Sequence, residues 1–307
     1  MIVYKELSSI EKDLKIPAKT LYGISNSISR HYHEKNIPKA DGGTRTLSVP
    51  DEALKRVQRA IAEKLLVYEP ISKYATAYRI GGGVKQNAAC HVGKEVLLKL
   101  DIYHFFDSIN YATVKEKAFP ADKYAEPIRI LLAMLCYNGE ALPQGAPTSP
   151  VISNIIMRDF DETVGAWCEE RNIRYTRYCD DMTFSGSFEK TDVLRFVSEQ
   201  LRARGFRLHE KKTHYLTAGT RKTVTGVVVN QKPNTQKDYR REIRQAVYYC
   251  EKFGTEAHLQ HAGIQDTPVH YLSRLLGKVN YVLQITPTNQ EFLNYKNKLL
   301  ALIQKAR

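Results

Sequence analysis

At 307 residues the chain is long enough to bury a substantial core and to hold two or three subdomains. Its formal charge of +13, from 46 basic and 33 acidic residues, recurs along the whole chain, so it suits a folded basic surface and a polyanionic partner. No apolar run approaches the roughly 20 residues of a spanning helix, no apolar secretory stretch opens the chain, and the five cysteines (Cys90, Cys136, Cys168, Cys179, Cys250) make no C-x-x-C pair; a membrane, a zinc site and a disulfide framework are not indicated, and a reducing cytosol fits best.

Residues 1–34 read as helical, with Leu21, Ile24 and Ile28 on one apolar face, and Ile37-Pro38-Lys39 ends that segment. Asp41-Gly42-Gly43-Thr44 is a turn signal and Arg45–Val49 a return strand, so a β-hairpin is expected. By itself Arg45 reads equally as a solvated hairpin cation. Asp51 can cap the next helix, whose buried side carries Leu54, Val57, Ile61, Leu65 and Leu66. Gly81-Gly82-Gly83 lacks the G-K-[ST] ending of a phosphate loop and reads as a flexible connector. Asn87 and His91, taken bare, read as capping or packing residues.

Glu95–Ile102 is a mostly apolar run suited to a buried strand, and it ends on Asp101 before Tyr103-His104-Phe105-Phe106. An Asp there is costly unless it is paired or bound to a cation. Residues 120–138 look helical, through Ile128, Leu131, Leu132 and Leu135. The Leu142–Thr148 loop follows, where Gly145 permits close backbone approach. Ser149 offers an N-cap and Pro150 a first helical position, before the core spacing of Ile152, Ile155, Ile156, Phe160, Val164 and Trp167.

Arg174–Tyr178 and Met182–Ser185 read as the strands of a hairpin with Tyr178-Cys179-Asp180-Asp181 at its tip. An isolated Asp-Asp is more often a solvated turn. If the strand ending at Asp101 lies beside this hairpin, Asp101, Asp180 and Asp181 converge. Three carboxylates can hold two Mg²⁺ ions on substrate phosphates for in-line phosphoryl transfer.

Thr191–Arg204 is an amphipathic helix closed by Gly205. Lys211-Lys212, taken bare, is a solvated face. Thr223–Asn230 is a β-branched strand. From Thr235 the chain turns helical, with Thr235-x-x-Asp238 as a capping box and Gly254 as a terminator. Arg240, Arg241 and Arg244 interleave there with Tyr239, Tyr248 and Tyr249, a face whose natural use is phosphate contact.

The strand-Asp101-x-x-x-Phe105-Phe106 run, Leu142–Pro150 and Tyr178–Asp181 resemble, in order and spacing, the palm of a reverse transcriptase, and the match extends over nearly the whole chain. Asn87-Ala88-Ala89-Cys90-His91 and Val224-Thr225-Gly226 resemble the N-A-x-x-H and VTG motifs of retron reverse transcriptases. The resemblance implies an α+β right-hand polymerase fold: fingers at about 1–94 and 118–142, an antiparallel-sheet palm with the catalytic site at 95–117 and 143–229, and a helical thumb at 230–307 that binds RNA or duplex.

It also implies roles. Asp101, Asp180 and Asp181, helped by the Ile102 carbonyl, would hold two Mg²⁺ ions. Lys212 would be a general acid near the leaving pyrophosphate. Arg45 would contact the triphosphate, Phe106 would gate the sugar, and Gln144 and Gly145 would flank the nucleotide and template base. Asn87, His91, Val224, Thr225 and Gly226 would recognise RNA, with Arg240, Arg241 and Arg244 gripping its backbone. Cys179 stands where Ala is commoner in retron enzymes; it is also small and apolar, so the chemistry should survive.

The implied activity is RNA-directed DNA synthesis from deoxynucleoside triphosphates in the cytoplasm. It would copy a cognate structured noncoding RNA, self-primed from an RNA 2′-hydroxyl, into a branched RNA–DNA hybrid (multicopy single-stranded DNA), in anti-phage defence with an effector protein. The chain leaves no room for an RNase H domain, so a host RNase H is expected to remove template. Two other readings stand beside it: a bacterial reverse transcriptase of intron or diversity-generating type, and a non-catalytic RNA-binding defence scaffold. The presence of all three carboxylates counts against the scaffold.

Overall fold

The computed structural model describes residues 3–38 and 42–306. Helices and strands are mixed along the chain: α1 (Leu7–Leu14), α2 (Ala18–Ser25), β1 (Tyr32–Pro38), β2 (Thr44–Pro50), α3 (Glu52–Lys64), α4 (Val84–Ala89), β3 (Val96–Asp101), α5 (Tyr111–Ala118), α6 (Glu126–Cys136), α7 (Ser149–Glu169), β4 (Arg174–Tyr178), β5 (Asp181–Gly186), α8 (Lys190–Arg202), β6 (His214–Leu216), β7 (Thr223–Val224), β8 (Val227–Val228), α9 (Lys237–Phe253), α10 (Thr255–His261), α11 (Pro268–Ile285) and α12 (Gln290–Lys305). This is an α+β chain. It divides into two units, Met1–Gly82 with Leu98–Tyr215, and Gly83–Leu97 with Leu216–Arg307.

In the first unit a four-stranded sheet runs in the order β4-β5-β3-β6. β4 and β5 are antiparallel and Tyr178 faces Asp181, leaving Cys179-Asp180 as a two-residue loop. One core holds the unit together: Leu98 and Leu100 of β3, Met182 and Phe184 of β5, and Phe160 and Val164 of α7 pack in the same cluster as Leu54, Val57 and Ile61 of α3. The expected cap is formed, since the Asp51 carboxylate accepts from the Leu54 N–H at 2.8 Å.

Several expectations for this unit need correction. The N-terminal segment is not one helix, because Pro17 separates α1 from α2 and residues 32–34 join β1, where Ile37 pairs with Arg45. Lys39, read as closing the N-terminal segment, and Asp41, read as opening the hairpin's turn, lie outside the described residues. The helix expected over 120–138 starts only at Glu126, with Pro127 in its first turn. Ser149 is not the cap of α7; its hydroxyl donates to the Pro143 carbonyl at 2.7 Å and closes the preceding loop. Gly145 in that loop has φ +127°, and a Cβ there would meet the Ser48 carbonyl oxygen at 3.0 Å, so glycine is required where the loop rests on β2.

In the second unit the expected Thr223–Asn230 strand is a tight hairpin. Thr223 pairs with Val228 and Val224 with Val227, and the loop residues Thr225 and Gly226 have φ +44° and +81°, the pattern of a type I′ turn. β-branched propensity called for extended chain, but a turn with two positive φ angles splits it. Val224, Val227 and Val229 pack with Ala88, Leu97 and Ile285. A separate core joins α9 to α12 through Ile243, Val247, Leu272, Val279, Phe292 and Leu299. The Thr235-x-x-Asp238 capping box does not form: Gln236 takes the N-cap position, and the Thr235 hydroxyl is buried without a hydrogen-bond partner. Gly254, at φ +84°, ends α9 as expected. Among the described residues no helix is long and apolar enough to cross a membrane.

Two glycines test the packing. A Cβ on Gly165 of α7 would fall 1.9 Å from the Tyr74 ring, whereas one on Gly23 of α2 would meet nothing within 4 Å. Gly165→Ala is expected to lose about 1–3 kcal/mol by overpacking, and Gly23→Ala to gain about 0.5–1 kcal/mol by helix propensity. Equilibrium urea unfolding compares them; the same sign for both would refute this packing.

Candidate active site

The acidic residues are brought together by strand endings. β3 is buried through Leu98 and Leu100 and delivers Asp101, itself 7% exposed. Beside it in the sheet, the turn between β4 and β5 carries Asp180 and Asp181. The Ile102 N–H donates to the Asp180 carbonyl at 3.1 Å, and the His209 N–H donates to the Asp101 carbonyl at 2.8 Å. These backbone bonds hold the strand end and the turn in register.

Three partly buried carboxylates repel one another. Burial, and then the charge of Asp101, pushes the Asp180 carboxyl above its ordinary range. Burial and the charge of Asp180 push Asp181 up to about 6, against a smaller opposing pull from Lys99. Lys212, on the turn Glu210–Lys212, donates through Nζ to both Asp101 oxygens at 2.9 and 3.2 Å. Among the described residues no three His, Cys, Asp or Glu side chains stand in a ready-made chelating arrangement. The donor set nevertheless fits a hard divalent cation: it is all oxygen, strongly negative, and countered at Asp101 by a lysine that a metal could replace.

A cleft of about 840 Å³ opens over these residues. Arg45 from exposed β2, Ile102, Phe106, Gln144 and Lys212 all line it with the three aspartates. Phe106 stands edge-on to buried Phe105 at 5.3 Å between ring centroids, and Gln144 donates to Asp107 at 3.4 Å. Gly145 is set back from the cleft wall against Ser48.

Comparisons with known proteins bear on this arrangement. Residues 37–274 match the reverse transcriptase (RNA-dependent DNA polymerase) family. The chain is 31% identical to the Retron Mx65 reverse transcriptase of Myxococcus xanthus, over 88% of this chain and 65% of that protein. It is 32% identical to the Retron Mx162 reverse transcriptase of the same organism, over 72% and 53%. It is 33% identical to the Retron Ec83 reverse transcriptase of Escherichia coli, over 71% of this chain and 75% of that protein. The chain belongs to the retron reverse transcriptase family. It spans between about half and two thirds of the length of its two Myxococcus relatives. Reverse transcriptases generally use divalent metal ions, in keeping with the donor set here.

The residues carrying the retron-type motifs lie in the second unit. Asn87 and His91 are both buried, at 1% and 0% exposure, and Asn87 donates to the Thr225 hydroxyl at 3.3 Å. Burial drives the His91 imidazole down to about 3, so it is neutral at physiological pH. Val224 is buried and Gly226 exposed at the turn. The three arginines differ. Arg240 donates to the Asn234 side chain and, at 2.8 Å, to the Thr235 carbonyl; Arg244 forms a bidentate pair with Glu291 at 2.6 and 2.8 Å; Arg241 is exposed. The groove beside Gly226 also contains Asp238 and Glu242, so it is not uniformly basic.

Sequence reasoning missed four cleft residues of this retron-family chain. Lys99 acts on Asp181, His209 supplies its backbone to Asp101, and His104 pairs with Asp107 at 2.7 Å. Tyr78 is the fourth. It sits at φ +57° on the cleft wall, its ring 6.5 Å from that of Tyr178. A tyrosine before three glycines is the only signal, and it names no partner.

The raised Asp181 carboxyl has a measurable cost. Its folded state holds the proton more tightly than the unfolded state, so its stabilising contribution is complete below about pH 4 and is lost as pH rises to about 6. Above that, the ionised group costs the metal-free protein about 1–2 kcal/mol after allowing for solvent screening. In EDTA, Asp181→Asn is expected to raise Tm by a few degrees at pH 7.5 and to change it little at pH 4. A Tm unchanged at both values, or raised equally, contradicts this electrostatic account.

Proposed function

We propose that the chain is an RNA-directed DNA polymerase of the retron type. It would copy a cognate structured noncoding RNA into a branched RNA–DNA product, primed from a 2′-hydroxyl of that RNA. The observation that carries the reading is the meeting of Asp101 with the Asp180–Asp181 turn in a cleft that also holds Arg45, Phe106 and Gln144. Family membership supports the same chemistry.

In the reaction the primer hydroxyl attacks the α-phosphorus of a deoxynucleoside triphosphate. A new P–O bond forms, the α–β bond breaks, and pyrophosphate departs. Asp101, Asp180, Asp181 and the Ile102 carbonyl would hold two Mg²⁺ ions. Such ions, when bound, lower the pKa of the attacking hydroxyl and stabilise charge at the phosphorus and leaving group. Arg45 contributes positive charge to the triphosphate from the hairpin edge. Phe106 closes the space a 2′-hydroxyl would need, and Gln144 borders the nucleotide and template base, with Gly145 behind it seating the loop on Ser48. Lys212, beside Asp101, would donate a proton to the leaving oxygen. In this reading fingers and palm draw on the first unit together with residues 83–97 and 216–229 of the second, and the helices from 230 onward form the thumb.

Asn87 and His91, being buried, would serve recognition indirectly by packing the turn that displays Thr225 and Gly226. Exposed Arg241 is the strongest of the three arginines as a phosphate contact, because Arg240 and Arg244 are committed to Asn234 and Glu291. A host RNase H for template removal, an effector protein and a part in anti-phage defence complete the proposal.

The deciding experiment purifies the protein co-expressed with its flanking genomic DNA and adds Mg²⁺ and labelled deoxynucleotides without primer. A discrete product that shortens but persists after RNase is expected. No product, with robust extension of an added primer on an RNA template, would instead assign another bacterial reverse transcriptase. Asp180→Asn is expected to cut synthesis more than about a hundredfold while RNA binding persists. Phe106→Ala is expected to admit ribonucleotides, and unchanged sugar discrimination would remove Phe106 from that role.

A further inference from the structure

Arg177 and Asp161 take no part in the chemistry described above, yet both side chains are wholly buried in the first unit. Stability alone is a weak reason for them, since apolar residues of similar volume often replace a buried ion pair without loss. Their geometry gives a better reason. Arg177 of β4 donates from Nε and Nη2 to the two oxygens of Asp161 on α7, at 2.8 and 2.6 Å. Nη2 also reaches the Asn154 side-chain oxygen at 3.2 Å, and the Tyr175 hydroxyl donates to Asp161 at 2.8 Å. The guanidinium plane is therefore immobilised from one side. Its remaining arm, Nη1, donates to the Cys179 carbonyl at 2.9 Å.

Cys179 is the first residue of the two-residue loop and has φ +62°. That position in such a turn is ordinarily glycine, because a Cβ disfavours the left-handed conformation. The next carbonyl along, that of Asp180, accepts from Ile102. The strained turn is thus tied to α7 through Arg177 and to the end of β3 through Ile102. The Arg177 carbonyl in turn accepts from the Thr76 N–H and hydroxyl, and the Asn154 amide donates to the Ala77 carbonyl, so the segment leading to Tyr78 joins the same network.

We propose that Arg177, oriented by Asp161, is a positioning residue that holds the Cys179-Asp180 turn in the conformation presenting Asp180 and Asp181 to the cleft. What the presented carboxylates are for rests on the polymerase reading; that they are held this way does not.

The test replaces the network by apolar residues, Arg177→Met with Asp161→Leu and Tyr175→Phe, which leaves no ionised group unpaired. Two readouts are taken on the full chain: Mn²⁺ binding without nucleic acid, followed by the EPR signal of free Mn²⁺, and steady-state primer extension on an RNA template. Cooperative unfolding of the variant, Mn²⁺ binding weakened by roughly tenfold or more, and kcat lowered by a similar factor with KM for the deoxynucleotide little changed are expected. Wild-type Mn²⁺ binding in the folded variant overturns the proposal whatever the turnover. Should the triple variant not fold, Arg177→Lys is read in the same way, because a point ammonium cannot serve both Asp161 and Cys179. Absence of DNA synthesis by the wild type would defeat the polymerase reading, and Mn²⁺ binding would still decide the role of Arg177.

Discussion

The first unit depends on how a concentration of like charge is tolerated where two strands end. Asp101 terminates a buried strand, and Asp180 and Asp181 occupy the adjacent turn. Solvent, Lys212 and Lys99 each relieve part of the repulsion, but burial leaves two carboxyls above their ordinary range. Such an arrangement persists only where the scaffold is rigid enough to refuse relaxation. The scaffold here is a single core that runs from the β4/β5 hairpin through α7 to α3.

Rigidity and reactivity are therefore two sides of one design. The elements that bring side chains to the cleft are edges and turns: the β2 edge with Arg45, the turn with Lys212, and the loop with Gln144. The elements behind them are apolar and closely packed, as with Phe105 behind Phe106 and Leu142 and Ala146 around Gln144. The Arg177–Asp161 pair is the exception, a charged group within the packed layer whose one outward bond reaches the acidic turn.

Much of this was legible in the sequence where local rules decide the outcome. The buried strand ending in Asp101, the acidic hairpin, the Asp51 cap and the Gly254 stop all follow from periodicity, turn chemistry and capping. Errors arose where one residue has two local uses. Ser149 can cap a helix or close a loop, and the carbonyl of Pro143 claims it. Thr225-Gly226 sits inside a β-branched run, and only the backbone angles show that it is a turn. Contacts between residues far apart in sequence left no trace at all. Nothing local ties Asn87 to Thr225, Lys212 to Asp101, or Arg244 to Glu291.

The glycine at 145 has a mechanical meaning. Because it has no side chain, the loop between α6 and α7 lies backbone against backbone on Ser48 of β2, and Asn138 adds a hydrogen bond to the Ser48 hydroxyl at 3.3 Å. No compressible layer separates hairpin from loop. The β1/β2 hairpin, which carries Arg45, therefore bears directly on the loop that carries Gln144. The edge of the cleft and part of its lining are thus in direct backbone contact.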